Sequence, residues 1–329
     1  MKQILSKKYS EQPYWPTLKL MLSSLIVFNF YLSFIDIHKT FLLSKVFNLT
    51  LIPMFVFIVA FITKSTTWVN WRNNVLPVMI IYFTFQSIDF IPIYFSGDFS
   101  FEKYILFPQN GVWFFLATPV WQAIFLLLPK PIKNNKVALL FILALSLIFS
   151  YLANDYQEKI SGFFAIIYYF PFFVLAYLVN ESCIYSFRKK NIFTILCVAT
   201  LALIALYYQI DIIKFINKKN EWSLYLYEFT TYLFNFLIGI LLSSAIVYFS
   251  LSTDKYAKVS NNALGIYLIH PIICFILLHG LKLLDIQINF PLVVLLTLLT
   301  VTITLQLASN PVIHWFISPV ITHKKGHDG

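Results

Sequence analysis

His270 and Pro271 sit inside an apolar run, Ala263-Leu264-Gly265-Ile266-Tyr267-Leu268-Ile269, that opens on Asn261 and Asn262. An imidazole at membrane depth is costly unless it faces protein or a water-filled cavity. A proline there withholds a backbone N–H, so a carbonyl one turn earlier must find another donor. A bare lipid-facing helix favours neither residue. His270 is therefore the first candidate for catalysis, with Asn262 and Tyr267 of the same run as candidate substrate contacts. Asp89, in Gln86-Ser87-Ile88-Asp89-Phe90-Ile91-Pro92, is a carboxylate late in another apolar run. It can hold an acceptor hydroxyl or a proton, or simply be wet at a membrane boundary. Arg72, in Trp68-Val69-Asn70-Trp71-Arg72, carries the planar fork that grips phosphate oxygens in pairs and suits a coenzyme A thioester. Snorkelling to lipid headgroups explains it equally well, and explains Lys19, one turn into the first apolar run. Asp36 and His38 form an Asp-x-His pair. Residues two apart do not share a helix face, so a carboxylate–imidazole dyad there needs non-helical backbone, and a plain loop is the simpler expectation.

The elements that must position these groups follow from composition. With 59% hydrophobic and 12% charged residues and a mean hydropathy of +0.77, the chain is too apolar for a soluble domain of 329 residues and is read as an all-α polytopic membrane protein. The 35 Phe and 20 Tyr suit lipid contact and interfacial belts, while only eight Gly argue against tightly crossed small-residue helices. Cys183, Cys197 and Cys274 have no ligand or disulfide spacing. Zinc-ligand spacing, a phosphate-cradling glycine loop and a nucleophile elbow are all lacking, so no metal and no tightly bound cofactor is expected.

Apolar segments lie near 17–35, 46–63, 75–93, 111–128, 137–152, 160–179, 192–208, 230–250, 261–280 and 289–309. Each approaches the length that crosses a bilayer, the fifth being the shortest. The expectation is a single domain over 1–329 of about ten transmembrane helices in one bundle, with a basic N-terminal segment 1–16 and a C-terminal segment 310–329. Placing the N-terminus inside puts 15 Lys and Arg in inner segments and eight in outer ones, while acidic residues run the other way, four against nine. That bias predicts a multi-pass cell-membrane protein with both termini cytoplasmic, and membrane lipids as its surroundings. The net charge of +10 is then mostly a property of the inner face, which removes the case for nucleic acid. Lys218-Lys219-Asn220-Glu221-Trp222, in the outer stretch 209–229, suits a lid or a carbohydrate contact, although a solvated loop with an interfacial tryptophan is the simpler reading.

Several short motifs recur in a recognisable order: Leu18-Lys19, then Pro53 with Phe55, Arg72 before Pro77, Trp113-Phe114, Phe170-Pro171-Phe172-Phe173, and Tyr267-Leu268-Ile269-His270. In this order and layout the chain resembles the membrane acyltransferase-3 family, in its fucose-4-O-acetylase-like branch, to which the intercellular-adhesion polysaccharide proteins are also similar. The resemblance implies acyl transfer, usually acetyl, from a cytoplasmic donor such as acetyl-CoA to a hydroxyl of an envelope glycan or lipid-linked saccharide. Trp113 is a further candidate substrate contact, and a polysaccharide synthase is the partner expected if the chain handles glycan without acylating it. Family members carry an Asp-x-Leu-Lys followed by Gly-His in the first span and Phe-His-Met-Pro in the second. Here Pro16 stands in the place of the aspartate, Asn29-Phe30 in that of Gly-His, and Thr50-Leu51-Ile52-Pro53 in that of the second motif. Phe30 and Leu51 thus replace both family histidines, and neither can carry a proton. Two expectations stand side by side. One is an O-acyltransferase using His270 and His38, with Arg72 and Lys19 on the donor and Asp89, Trp113, Asn262 and Tyr267 on the acceptor. The other is a catalytically depleted relative that binds or exports polysaccharide. Proton-coupled transport has Asp89 alone in its favour and no visible inverted repeat.

Overall fold

The computed structural model describes residues 14–35, 37–95, 97–209, 211–214, 224–251, 257–260 and 262–319. Among them there is no strand. The long helices are α1 (Tyr14–Leu32), α2 (Ile37–Thr63) and α3 (Trp68–Phe95). After the short α4 (Phe101–Leu106) come α5 (Trp113–Leu127) and α6 (Lys136–Ala153). A broken stretch follows, made of α7 (Phe164–Tyr168), α8 (Phe170–Leu178) and α9 (Glu181–Arg188). The rest are α10 (Ile192–Tyr207), α11 (Leu224–Phe249), α12 (Ala263–Leu283), α13 (Phe290–Ser309) and α14 (Pro311–Ile317).

Helix is what an apolar chain must form in lipid, where only internal pairing satisfies the backbone. Seven of these helices (α1, α2, α3, α6, α11, α12 and α13) are long and apolar enough to cross a membrane, and an eighth crossing results if α7 to α9, bent by 85° at α9, is one broken span. The molecule is a multi-pass α-helical membrane protein. Two further segments expected to cross, α5 and α10, have 15 and 16 residues. At 1.5 Å per residue they reach about 22–24 Å, short of a hydrocarbon core of about 30 Å. Lipid-facing surface is plain on α6, where Phe141 and Phe149 are 65% and 59% exposed. The 310–329 segment begins as a helix: α14 packs on α3, α12 and α13 and buries Ile317.

Asparagine recurs as the start signal. The side chains of Asn135, Asn191, Asn289 and Asn310 accept from the N–H groups of Val137, Phe193, Leu292 and Val312, at 2.9–3.0 Å. Each answers a first-turn donor that has no partner in its own helix. Two cations work at the other helix ends. Arg188 donates to the carbonyl and hydroxyl oxygens of Ser250 and to the Val247 carbonyl, at 2.6–3.0 Å, closing the C-terminus of α11. Lys64 donates to the Val179 carbonyl at 2.6 Å, just past α8, and covers the Phe61 ring at 4.1 Å. Cations there also complement the negative end of the helix dipole.

Burial lowers the Lys64 ammonium to about 8, an effect that the Glu181 carboxylate only partly offsets. The folded chain releases this proton near pH 8 and the unfolded chain near 10.5, so between those values the unfolded state binds more protons. Stability should therefore rise with pH across that window, and Lys64→Met should remove the rise. Competitive amine acetylation at pH 8 reads the same quantity: Lys64 should react as a half-neutral amine, ahead of solvated lysines, and equal protection from the reagent at pH 8 and pH 6 would refute it.

Candidate functional site

The proline that marked α12 explains the histidine before it. Pro271 cannot supply the N–H that would bond the Tyr267 carbonyl. His270 supplies it instead: Nδ1 lies 2.8 Å from the Tyr267 carbonyl oxygen and 3.1 Å from that of Ile266. Carbonyl oxygens only accept, so Nδ1 carries a proton. The ring is 4% exposed and meets Phe30 edge-on, with centroids 5.9 Å apart. Phe30 is thus the direct neighbour of His270. It also packs against Phe275 at 5.5 Å.

Three of the other expected residues meet around the turn Asn110-Gly111. Both turn residues have positive φ, 45° and 82°. The Tyr267 hydroxyl donates to the Gly111 carbonyl at 2.9 Å, so close to the glycine that a side chain there would collide with it. Asp89, 8% exposed, hydrogen-bonds the Asn110 side chain. Trp113, two residues on, stacks on Tyr169 at 5.1 Å with planes 12° apart. Gln86, fully buried, holds the loop from below: its amide nitrogen donates to the Tyr104 carbonyl at 2.8 Å and its oxygen accepts from Gln109 N at 3.0 Å.

The remaining candidates stand apart from this cluster. Arg72 is exposed near the start of α3, Lys19 is half-buried on α1, and Asn262 caps α12 without a side-chain bond. Among the described residues no polar contact joins them. His38 falls in the first turn of α2, but its side chain lies outside the described residues, as does the stretch 218–222. Cys183 and Cys197 are exposed, Cys274 is buried, and all three are free. Among the described residues no cluster of His, Cys, Asp or Glu could hold a metal ion.

A large cavity borders none of the expected side chains among the described residues. It encloses about 600 Å³ between α2, α6, α8 and α11 and is lined by seven tyrosines: Tyr151, Tyr156, Tyr168, Tyr169, Tyr225, Tyr227 and Tyr232. Asn48, Asn154, Thr231, Asn235, Asp155, Lys159 and Glu228 add polar groups. The tyrosines are tied in place. Tyr232 donates to Ser150 at 2.7 Å and Ser150 in turn to the Tyr168 carbonyl, while the Tyr151 hydroxyl reaches Glu228 at 3.3 Å. Gly239 lets α11 close against α2: a β-carbon there would lie 2.7 Å from the Leu49 carbonyl oxygen. Pro53 leaves that carbonyl without its helical donor.

A second cavity of about 350 Å³ adjoins the first, with Pro53 and Phe172 lining both. Its walls are apolar: Trp15, Met54, Phe57, Ile58, Leu175, Ile184, Phe187, Ile240 and Val247, with Ser243, Ser244 and Cys183 among them. Among the described residues three buried side-chain atoms find no hydrogen-bond partner: Asn29 Oδ1, Asn235 Oδ1 and Ser243 Oγ. Asn235 lines the first cavity and Ser243 the second, and the Asn29 amide donates to Asn48 of the first at 3.4 Å. Two of these three residues thus border the two cavities, and the third is bonded to a residue that lines the first. Sequence reasoning missed this site because its tyrosines come from distant segments. The available signal was Tyr225-x-Tyr227-Glu228, directly after the stretch that suited a carbohydrate contact.

No family model, no curated protein and no solved structure matches the chain.

The histidine account has a direct test. His270→Ala should strip the Tyr267 carbonyl of its donor and cost about 1–3 kcal/mol. Adding Pro271→Ala should recover most of that, since residue 271 then supplies the N–H. Thermal unfolding in detergent measures both, and a double variant no more stable than His270→Ala alone would contradict the assignment.

Proposed function

We propose that this is a membrane protein that binds envelope saccharide in the tyrosine-lined cavity. The observation that carries the reading is the cavity's chemistry. Seven amphipathic rings offer apolar faces to sugar C–H surfaces, while amides, hydroxyls and carboxylates around them pair with sugar hydroxyls. Its volume lies within the range of about 300–1,000 Å³ usual for small-molecule sites. The inner continuation is apolar, which speaks against a polar path for polysaccharide through the molecule. In this reading the ten apolar segments all traverse the cell membrane, with the bilayer locally thinned at the short α5 and α10. Both termini are cytoplasmic, and the tyrosine cavity opens outward.

Acyl transfer to that saccharide is the second reading, favoured by one juxtaposition. Phe30 lies against His270, and Asn29, next to it, bonds Asn48 at the cavity wall. The place where the acyltransferase-3 frame keeps its base therefore adjoins the sugar cavity. Arg72, exposed at the inner face, is then the group that meets acetyl-CoA, and a polysaccharide synthase is the natural partner.

Asn235 separates function from stability. Its oxygen is unpaired in the free protein, so Asn235→Leu should raise the unfolding midpoint while weakening oligosaccharide binding about tenfold, the worth of roughly 1.4 kcal/mol. Calorimetry with soluble envelope oligosaccharide measures the binding, and unchanged affinity would remove the cavity from the site. Labelled acetyl-CoA in vesicles tests the second reading. Phe30→His should raise transfer by up to about 10²–10⁴-fold over wild type if the missing base is the defect. Unchanged transfer would leave binding as the activity.

A further inference from the structure

We propose that the two cavities are one site, and that its ligand is a neutral glycolipid whose sugar fills the tyrosine cavity and whose hydrocarbon chain fills the apolar one. This rests on the saccharide reading of the tyrosine cavity. Three observations carry it. First, the cavities adjoin: Pro53 and Phe172 line both, and the change from polar to apolar lining falls at these two residues, the neck of the proposed site. A free saccharide leaves the apolar part unused, and a plain lipid leaves seven tyrosines and the polar groups around them unanswered. Second, the dimensions fit a membrane lipid. Along α11 the lining runs from Tyr225 to Val247, which at 1.5 Å per residue is about 33 Å, and the apolar part from Ile240 to Val247 lies at its inner end. Third, the unpartnered atoms mark both parts: Asn235 Oδ1 in the polar cavity awaits a hydroxyl donor, and Ser243 Oγ in the groove can pair with an ester or ether oxygen near the head of the chain.

The charges choose among lipid-linked sugars. Among the described residues Lys159 is the one cation on the wall of the tyrosine cavity, and it pairs with Asp155 at 3.9 Å, while Glu228 adds a second carboxylate. Among the described residues no cation lines the apolar groove. A phosphate or diphosphate between sugar and lipid would lie at the neck, where Pro53, Phe172 and neutral amides offer no compensating charge. A sugar linked directly to a glycerolipid meets no such penalty.

Cys183 lies on the groove wall and reports its occupancy. The full chain with Cys197→Ser and Cys274→Ser is placed in phosphatidylglycerol nanodiscs, and alkylation of Cys183 by N-ethylmaleimide is followed. Monoglucosyl-diacylglycerol should slow the reaction about tenfold when present at about ten times its Kd. Diacylglycerol without sugar and polyprenyl-diphosphate-linked glucose should leave the rate within about twofold, as for a ligand well below its Kd. Ile240→Trp, which fills the groove, should abolish glycolipid retention in native mass spectrometry yet keep soluble oligosaccharide binding. Equal protection by the sugarless or phosphate-linked lipid, or no protection at all, would overturn the proposal. If soluble oligosaccharide binds wild type while the glycolipid gives no protection, the groove assignment alone fails; if neither binds, the saccharide reading fails with it.

Discussion

In a chain this apolar, each polar group must be answered by another group of the protein, because lipid offers no hydrogen bond. That constraint accounts for most of the polar side chains described. Asparagines cap helix starts, Arg188 and Lys64 close helix ends, Gln86 pins the loop beneath Asn110, and His270 bonds the carbonyl that Pro271 leaves open. Where the constraint is met locally, a polar residue is part of the frame. Where it is not met, Asn235 and Ser243 border a cavity and Asn29 bonds Asn48, which does.

The packing of α2, α8 and α11 follows from the same economy of polar groups. Pro53 and Gly239 mark a close approach of α2 and α11 at one level. Above and below that level two spaces open, one walled by tyrosine and amide, the other by phenylalanine and aliphatic side chains. An amphipathic site results from the order of residues along three helices. It needs no charged group in the bilayer.

Much of the frame was legible in the sequence, because length and apolarity decide what crosses a membrane. The ten expected segments each contain a helix, but α5 and α10 fall short of a full crossing by length, and the 160–179 segment is broken into α7 and α8. Asp89, Trp113 and Tyr267 were named from three separate runs and do converge, on a turn whose backbone requires Gly111. The coupling of His270 to Pro271 was visible as a need for a donor, and the structure shows the histidine itself as that donor. The tyrosine cavity was not legible. Its residues sit at the ends of helices separated by tens of positions, and at an interface a tyrosine that binds sugar has the same local sequence signature as one that anchors a helix.

The central claim is that ligand polarity is met at the tyrosine cavity and not at His270. A structure of the protein in nanodiscs, soaked with a soluble envelope oligosaccharide, tests it most directly. The account requires sugar rings against Tyr168, Tyr232 and Tyr151, with a hydroxyl donating to Asn235 Oδ1. Sugar density beside Phe30 and His270, with the tyrosine cavity holding only water, would contradict it.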